Sequence, residues 1–273
     1  MSEKVALVTG ASSGIGAATA LELKKLGFVV YAGARRVERM APLRAEGVRT
    51  LALDVTDDAS VTDAVETIER ETGRLDVLVN NAGYGSYGAV EDVSLEEGQR
   101  QFGVNVFGVM RLTRSVVPLM RQQGSGRILN VTSVGGKIYT PMGAWYHGSK
   151  FALEGMSDVL RIELAPFGID VVVIEPGATK TEWSGIAAEA LRETSGHGAY
   201  SDAATRLSKA MVSGPLHARA SEPIVIARAI VNAATAKRPK TRYATGFSAR
   251  TVLTLRRLVS DRTFDRIITN GTK

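Results

Sequence analysis

Apolar residues along the chain follow two alternating patterns. Short runs rich in β-branched residues recur between longer segments whose apolar residues have helical spacing. This alternation is typical of repeated strand–helix–strand units around a parallel sheet. It predicts strands near Val5–Thr9, Val29–Ala34, Arg49–Leu53, Val77–Asn80, Ile128–Thr132, Val171–Glu175 and Arg242–Thr245. We therefore expect an α/β fold: a single doubly wound Rossmann domain with a seven-stranded parallel sheet, helices on both faces and a C-terminal helical extension.

Nothing in the sequence marks a linker or a repeat, so we expect one domain over residues 1–246, followed by the extension over residues 247–273. The segment Glu182–Glu222 has the least regular pattern and contains Trp183. So long an irregular insert in a compact domain is usually a binding loop or a lid. We predict a substrate lid there.

The C-terminal segment Ser248–Asn270 combines an apolar stripe with arginines. Its apolar residues recur at helical spacing, and they are Val252, Leu255, Val259, Phe264, Ile267 and Ile268. The stripe could pack on the domain or on a partner subunit, or it could lie on an anionic membrane surface. Ser260-Asp261 interrupts the stripe as a new helix start, which favours packing over peripheral membrane contact.

Composition places the chain among ordinary proteins of aqueous compartments. Of its 273 residues, 44% are hydrophobic and 23% charged, and no apolar stretch approaches the roughly 20 residues needed to span a bilayer. We expect a cytoplasmic protein. It contains no cysteine, and its three histidines are scattered, so we expect neither disulfides nor a metal site.

The net charge of +6 raises the possibility of a nucleic-acid partner. Residues 200–273 hold 14 of the 34 basic residues but 4 of the 28 acidic ones, so the excess lies in the C-terminal quarter. No zinc-finger spacing, basic zipper or RNA-binding aromatic motif accompanies it. We therefore expect no nucleic-acid partner.

A glycine-rich turn follows the first predicted strand. It reads Thr9-Gly10-Ala11-Ser12-Ser13-Gly14-Ile15-Gly16 and leads into a predicted helix. Glycines let the backbone approach a pyrophosphate, and the helix N-terminus offers free amides and the positive end of a dipole. An accidental glycine-rich turn is the alternative, but the position between first strand and first helix favours a dinucleotide site.

The second predicted strand ends in Arg35 and Arg36, without a carboxylate. In a doubly wound dinucleotide site, an acidic residue here selects NAD and a basic one accommodates the phosphate of NADP. Two arginines at a helix start also oppose its dipole unless an anion compensates. We predict NADP, with NADPH preferred over NADH; two solvated arginines are the alternative.

Tyr146 and Lys150 are four residues apart in a predicted helix. Positions i and i+4 share a helix face, so the ammonium group would favour the ionised phenol and allow proton exchange near neutral pH. A chance surface pair is the alternative for these two residues alone. Other motifs argue against chance.

Taken together, the motifs resemble those of the short-chain dehydrogenases/reductases, over about residues 4–246. The motifs that carry the resemblance are Thr9-Gly10 to Gly16, Asn80-Asn81-Ala82-Gly83, Asn105, Ser133, Tyr146 with Lys150, and Pro176-Gly177 followed by Thr181. The resemblance implies that Asp54 and Val55 contact the adenine. It also implies that Asn81, Ala82 and Gly83 line the cofactor and that Pro176, Gly177, Thr179 and Thr181 approach the nicotinamide.

The same resemblance implies a catalytic mechanism. Ser133 would hydrogen-bond the substrate oxygen, while Tyr146 passes a proton to or from it as hydride moves to or from the nicotinamide. Lys150 would favour the ionised phenol and hold the nicotinamide ribose, and Asn105 would hold a water that links Lys150 to solvent. As alternatives, Ser133 could cap a turn and Asn105 could satisfy a buried backbone group.

Large apolar side chains near Tyr146 suggest the substrate. Met142 precedes it, Trp183 lies in the predicted lid, and Ile138, Tyr139 and Trp145 are close in sequence. We predict that Ser133, Met142, Tyr146 and Trp183 bind a small lipophilic alcohol or ketone. A 3-oxoacyl thioester reductase that uses the basic C-terminal region to dock a carrier is one alternative. A catalytically silent nucleotide-binding regulator is another, and the intact set of four catalytic residues argues against it.

The chain departs from the family pattern in two ways. Many NADP-preferring relatives carry a basic residue where this chain has Ser13, so the NADP prediction depends on Arg35 and Arg36. Many tetrameric relatives end soon after the seventh strand, whereas this chain continues from Gly246 through Lys273. We therefore expect a homodimer rather than a tetramer.

Overall fold

Seven parallel strands form a single sheet in the order β3-β2-β1-β4-β5-β6-β7. The computed structural model describes residues 3–271. The predicted domain range 1–246 and the predicted extension 247–273 each include two residues outside the described residues, namely Met1 and Ser2, and Thr272 and Lys273. The strands are β1 (Val5–Thr9), β2 (Val29–Ala34), β3 (Arg49–Ala52), β4 (Val77–Asn80), β5 (Gly126–Val131), β6 (Ile169–Pro176) and β7 (Arg242–Thr245). The predicted doubly wound sheet is confirmed.

Helices connect the strands and cover both faces of the sheet. In the described part of the chain they are α1 (Gly14–Lys25), α2 (Ala41–Ala45), α3 (Asp58–Thr72), α4 (Leu95–Phe102), α5 (Val109–Gln123), α6 (Ala144–Leu164), α7 (Glu182–Ser195), α8 (Ser201–Ser213), α9 (Pro215–Ala218), α10 (Pro223–Thr235), α11 (Ala249–Leu258) and α12 (Asp261–Gly271). A π-helical segment, Gly103–Gly108, joins α4 to α5.

Strand β1 shows why these runs are apolar throughout. Successive side chains of a strand point to opposite faces of the sheet. Ala6 and Val8 pack in a core with side chains of α1 and α10, whereas Val5 and Leu7 pack in a second core with side chains of α3 and α5. Both faces are covered, so neither set of positions tolerates polar residues.

The winding of the chain reverses at β1. Strand β1 pairs with β2 on one side and with β4 on the other. A crevice therefore opens at the carboxyl ends of β1 and β4, which is where open α/β sheets bind their ligands. The glycine-rich turn and Asn81 both follow strands that end at this crevice.

The segment Glu182–Glu222 is helical, so the irregular structure predicted for it was wrong. It forms α7, α8 and α9. Leu191 and Leu207 of this segment pack in one buried cluster with Tyr87 and Tyr146. Much of the buried face consists of alanine, whose weak apolar signal hid the helical period.

The C-terminal extension packs on the domain. Phe264 of α12 is fully buried beside Leu253 and Ile138, and the Tyr139 hydroxyl donates a hydrogen bond of 2.8 Å to Asp265. The break between α11 and α12 falls at Val259–Ser260, close to the predicted helix start. The stripe that could have met a membrane is therefore largely occupied. In the range 3–271, no helix is long and apolar enough to cross a bilayer.

Candidate active site

The glycine-rich turn is tied directly to the segment that follows β4. The Thr9 hydroxyl accepts hydrogen bonds from the backbone amides of Asn81 and Ala82, at 3.0 and 2.9 Å. Gly10 has a φ of 64°, and a Cβ there would lie 2.8 Å from the Cα of Ala82. Only glycine fits this close approach. The predicted cofactor residues of the two segments are thus adjacent.

The start of α1 fits a pyrophosphate. Ser13 precedes the helix, and its side chain makes no capping hydrogen bond to the first turn, so the first amides are left to an external anion. Gly14 has a φ of 57°, and a Cβ on Gly16 would lie 2.4 Å from the Gly10 carbonyl oxygen. Ile15 packs against the core beneath the turn. The geometry is that of a dinucleotide cradle.

Basic residues gather where β2 ends. Arg36 Nη2 lies 3.4 Å from the Ser12 hydroxyl of the glycine-rich turn. Beyond β3, burial raises the pKa of Asp54, but hydrogen bonds from Thr56 and the charge of Arg35 outweigh it and lower the pKa overall. This edge of the crevice therefore combines an ionised carboxylate with two arginines. The backbone carbonyl of the neighbouring Val55 accepts a hydrogen bond from Arg111.

Ser133, Tyr146 and Lys150 are brought together by β5 and α6. Ser133 follows β5 and caps a short 3-10 turn, where its hydroxyl accepts from the Gly135 amide at 3.0 Å. Its side chain also acts on the Tyr146 phenol, whose pKa it lowers. Lys150 is buried one turn further along α6, and its Nζ donates to the Val131 carbonyl at 3.0 Å. Ser133 thus caps a turn and contacts the phenol at the same time.

The predicted lowering of the Tyr146 pKa by Lys150 was wrong for this structure. Burial raises the pKa of Tyr146 to about 12, against the lowering effect of the Ser133 hydrogen bond. Burial also lowers the pKa of Lys150 to about 8, while the charge of Glu154 acts in the opposite direction. The sequence spacing shows that the two groups share a face, but not how much solvation each loses.

Asn105 lies in the π-helical segment and holds the backbone after β4. Its Nδ2 donates to the Tyr84 carbonyl at 3.0 Å and to the Ser149 hydroxyl at 3.1 Å, and its Oδ1 accepts from the Tyr84 amide at 3.1 Å. The side chain therefore does satisfy a buried backbone group. A Cβ on Gly83 would lie 3.0 Å from Asn105 Oδ1 and 3.6 Å from Lys150 Nζ. The site thus keeps Asn105 near Lys150.

Aromatic rings surround the Tyr146 phenol. The ring centroids of Trp183 and Tyr146 are 5.0 Å apart, and Tyr87 lies 5.6 Å from Tyr146 and 5.9 Å from Trp183. Met142 packs against the same cluster. Two of the predicted substrate residues, Met142 and Trp183, are therefore placed beside the phenol.

The residues predicted on the nicotinamide side follow β6. Pro176 ends the strand, and a Cβ on Gly177 would lie 2.2 Å from the Phe247 carbonyl oxygen. The Thr179 hydroxyl donates to the Gly177 carbonyl at 2.9 Å. Thr181 caps α7 and also faces Gly14, whose added Cβ would lie 3.1 Å from it. The end of β6 therefore meets the glycine-rich turn.

Three residues near the site were missed from the sequence. Tyr87 lies in the loop after β4, where no periodicity singles it out. His147 follows Tyr146 and binds the loop after Ser133. Glu182 meets the arginines at the end of β2. A Thr-Glu pair is a helix-start signal, because the threonine caps and the acid complements the dipole, so Thr181-Glu182 could have predicted α7.

No group of three or more histidine, aspartate or glutamate side chains in residues 3–271 is placed to hold a metal ion. The residues that cluster here are a hydroxyl, a phenol, an amine and an amide. Their donor set suits proton transfer and polar binding rather than coordination.

Comparisons with known proteins agree with this geometry. A family model for short chain dehydrogenases matches residues 4–191. A 3-ketodihydrosphingosine reductase of Bacteroides thetaiotaomicron is 43% identical over 182 residues, which are 66% of this chain and 66% of that protein.

Solved structures are similar over most of the chain. A short-chain dehydrogenase from Streptomyces avermitilis has a TM-score of 0.80 and 34% identity, covering 100% of this chain and 99% of that one. A metagenomic short-chain oxidoreductase in complex with NADP has a TM-score of 0.71 and 28% identity, covering 89% of this chain and 96% of that one. A 3-ketoacyl-(acyl-carrier-protein) reductase from Brucella melitensis complexed with NADH has a TM-score of 0.72 and 32% identity, covering 86% of this chain and 92% of that one.

Proposed function

The chain belongs to the short-chain dehydrogenase/reductase family of oxidoreductases, and on that premise we propose that it transfers a hydride between NADP and a lipophilic carbonyl or alcohol. The observation that carries the proposal is the convergence of Ser133, Tyr146 and Lys150 beside the dinucleotide cradle. The bound nicotinamide would supply or accept the hydride.

The proton would move at the Tyr146 hydroxyl. With its pKa raised to about 12, this phenol holds its proton at neutral pH. It is therefore suited to protonate the oxygen of a carbonyl that is being reduced. The Ser133 side chain, which lowers the pKa of this phenol, would orient the same oxygen. Lys150 would hold the nicotinamide ribose, and Asn105 would hold a water beside it.

The cofactor proposal rests on Arg35 and Arg36. Both are basic, both follow β2, and Arg36 contacts the glycine-rich turn. A phosphate on the adenosine ribose would compensate them, which supports NADPH over NADH. The similar solved structures include one with NADP and one with NADH, so this preference comes from the residues of this chain.

The aromatic cluster supports a lipophilic substrate. Trp183, Tyr87 and Met142 surround the phenol with apolar surface, and aromatic rings contribute large apolar area to ligand sites. The relative that reduces 3-ketodihydrosphingosine, according to its name, also supports reduction of a keto group. We further propose that α7 to α9 cover the substrate as a lid.

A 3-oxoacyl thioester reductase remains the second candidate. The similarity to the Brucella reductase favours it, and the arginines of α11 and α12 would supply a basic face for an acidic carrier. Such a carrier would have to dock near Tyr139, because these helices pack on that loop.

A homodimer in the cytoplasm, without a nucleic-acid partner, completes the proposal. Large apolar side chains are exposed on the π-helical segment and on α6, namely Phe107, Phe151, Val159 and Ile162. Isolated apolar residues are common at surfaces, but a group of them favours an interface. Light scattering on the purified protein measures the mass and tests the dimer.

Loss of NADPH absorbance with a panel of ketones tests the function. We expect consumption with long-chain or polycyclic ketones, and consumption about 10²–10⁴-fold slower with the Tyr146→Phe protein. Faster turnover of 3-oxoacyl thioesters would favour the second candidate. Binding of NADPH without turnover of any ketone, or of any alcohol with NADP, would support a silent regulator instead.

A further inference from the structure

Glu182 places a carboxylate among the arginines that follow β2. It is the first residue of α7, and its Oε2 accepts from Arg39 Nη1 at 3.1 Å. The same oxygen lies 3.7 Å from Arg36 Nη2. Hydrogen bonding with Arg39 lowers the pKa of Glu182, and the Arg36 charge and Ser13 act in the same direction. An ionised side chain of the protein thus sits where an external anion would compensate the arginines.

The ion pairs lie at the edge of the dinucleotide cradle. Arg36 reaches Ser12 as well as Glu182, and Ser12 and Ser13 belong to the glycine-rich turn. In such a site the end of the second strand meets the adenosine ribose and distinguishes its 2′-hydroxyl from a 2′-phosphate. A 2′-phosphate and the Glu182 carboxylate would therefore compete for Arg36.

The residues on either side of Glu182 contact other parts of the site. Thr181 faces Gly14 of the turn. Trp183 lies over Tyr146 with ring centroids 5.0 Å apart, and a Cβ on Gly85 would lie 2.4 Å from the Trp183 ring. Adjacent positions at the start of one helix thus contact the arginines and the catalytic phenol. A displaced Glu182 would shift the first turn of α7, and Trp183 with it.

We propose that Glu182 is a specificity-determining residue that couples recognition of a 2′-phosphate to the position of Trp183 over Tyr146. The inference rests on the proposed NADP dependence and deepens it. A phosphate carries roughly twice the charge of a carboxylate at neutral pH, so it displaces Glu182 from Arg36. A dinucleotide without the phosphate leaves the ion pair intact, and Trp183 stays over the phenol. The coupling is reciprocal, because a ligand shifts an equilibrium only by its differential affinity for the two states.

The test uses 2′,5′-ADP and 5′-ADP, which contain no nicotinamide and report binding without turnover. The chain has 2 tryptophans, so a Trp145→Phe background leaves Trp183 as the single tryptophan, whose emission is excited selectively at wavelengths that tyrosine does not absorb. We expect 2′,5′-ADP to change Trp183 emission in a saturable way and 5′-ADP to leave it unchanged. Glu182→Gln should bind 2′,5′-ADP about two- to fivefold more tightly, as expected from losing a partly exposed competing ion pair. Its unliganded emission should already resemble the liganded state.

Glu222→Gln is the matched control. Glu222 forms a similar exposed ion pair, 2.8 Å from Lys180 Nζ, but pairs with neither Arg36 nor Arg39. It should change neither the affinity for 2′,5′-ADP nor the emission. Weaker binding by Glu182→Gln would mean that Glu182 only positions the arginines, which overturns the inference. An equal Trp183 response to both nucleotides, or a Trp183 insensitive to bound 2′,5′-ADP, overturns it as well. Failure of the wild-type protein to bind 2′,5′-ADP would remove the NADP assignment itself.

Discussion

The Nδ1 atom of His147 lies 2.9 Å from the carbonyl oxygen of Gly135. Its Nε2 accepts a hydrogen bond from the Thr140 amide at 3.0 Å. An acceptor nitrogen carries no proton, so the imidazole is neutral with its hydrogen on Nδ1. The residue after Tyr146 therefore holds both ends of the loop that follows Ser133.

The stability of the protein should fall as the pH drops below about 6.5, through His147. Burial lowers the pKa of His147 from its ordinary 6.5, against hydrogen bonds to the backbone. The unfolded chain therefore binds this proton more readily than the folded protein does. The contribution of His147 to the free energy of unfolding is complete above pH 6.5 and is lost as the pH falls below it. Denaturant unfolding between about pH 7.5 and about pH 5.5 measures the effect. His147→Gln should be less stable at the higher pH but lose less between the two; an equal loss in both proteins would contradict this role.

Tyr146→Phe should reduce turnover by about 10²–10⁴-fold, because it removes the proton donor. The fold should persist, since the ring keeps its contacts with Trp183 and Tyr87. Tyr31→Phe is the matched control: it also removes a hydroxyl from a buried ring, but that hydroxyl donates a hydrogen bond to Glu71 near the end of α3. Near wild-type rates in Tyr146→Phe would refute the assignment.

The kcat/KM for ketone reduction should fall as the pH rises through about 8, because Lys150 loses its charge there. In the unfolded chain the ordinary pKa of the lysine is 10.5. Between about pH 8 and that value the unfolded chain binds the proton and the folded protein does not, so the contribution of Lys150 to the free energy of unfolding rises with pH. Activity and stability therefore change in opposite directions. Unfolding curves at each pH separate the two. If kcat/KM of the Lys150→Met protein fell over the same alkaline pH range as in the unmutated protein, another group would be responsible for the fall.

Arg35→Ala together with Arg36→Ala should erode the preference for NADPH over NADH. Each charge-assisted bond to a phosphate contributes roughly 1.5–3 kcal/mol, so we expect about tenfold or more for each bond lost. Dissociation constants for both cofactors measure this. Arg44→Ala is the control, because Arg44 is an exposed arginine that bonds Thr50 instead. Equal constants for both cofactors in the unmutated protein would contradict the prediction.

Phe264→Ala should destabilise the protein by about 3–5 kcal/mol, the usual cost of deleting a buried aromatic ring. Phe264 is fully buried against Tyr139 and Leu253, whereas Ile267 on the same helix is 41% exposed. Ile267→Ala should therefore cost under about 0.5 kcal/mol. Chemical denaturation measures the free energy of unfolding of both variants.

Because Phe264 and its neighbours in the stripe pack on the domain, the intact protein should stay in the supernatant with anionic vesicles at low salt.

The sheet could be predicted well because its information is local. Residues Val171 to Ile174 are apolar at every position, as only a strand covered on both faces requires. The ends of the strands were predicted less accurately. Strand β5 begins at Gly126, two residues before the predicted start, because Gly126 pairs with Ile169 of β6. That pairing depends on a partner more than 40 residues away, which no local pattern reveals.

The sequence predicted which residues of the candidate site lie together, but not how their pKa values shift. The positions of Ser133, Tyr146 and Lys150 followed from motif order. The raised pKa of Tyr146 did not, because it depends on how tightly Trp183 and Tyr87 exclude water. Glu182 was missed for a similar reason. Its partner Arg39 is 143 residues away along the chain, and an exposed acid at a helix start looks like any other.

The contacts of α12 with the loop after Ser133 make the tail a support for the loop beside the proposed substrate site. Tyr139 is held by Asp265 on one side, and the same loop is fixed by His147 on the other. A truncated chain ending at Gly246 would keep Ser133, Tyr146 and Lys150 yet expose Ile138 and release the loop. Swapping only the last two helices between relatives should therefore graft new substrate selectivity onto an unchanged catalytic core.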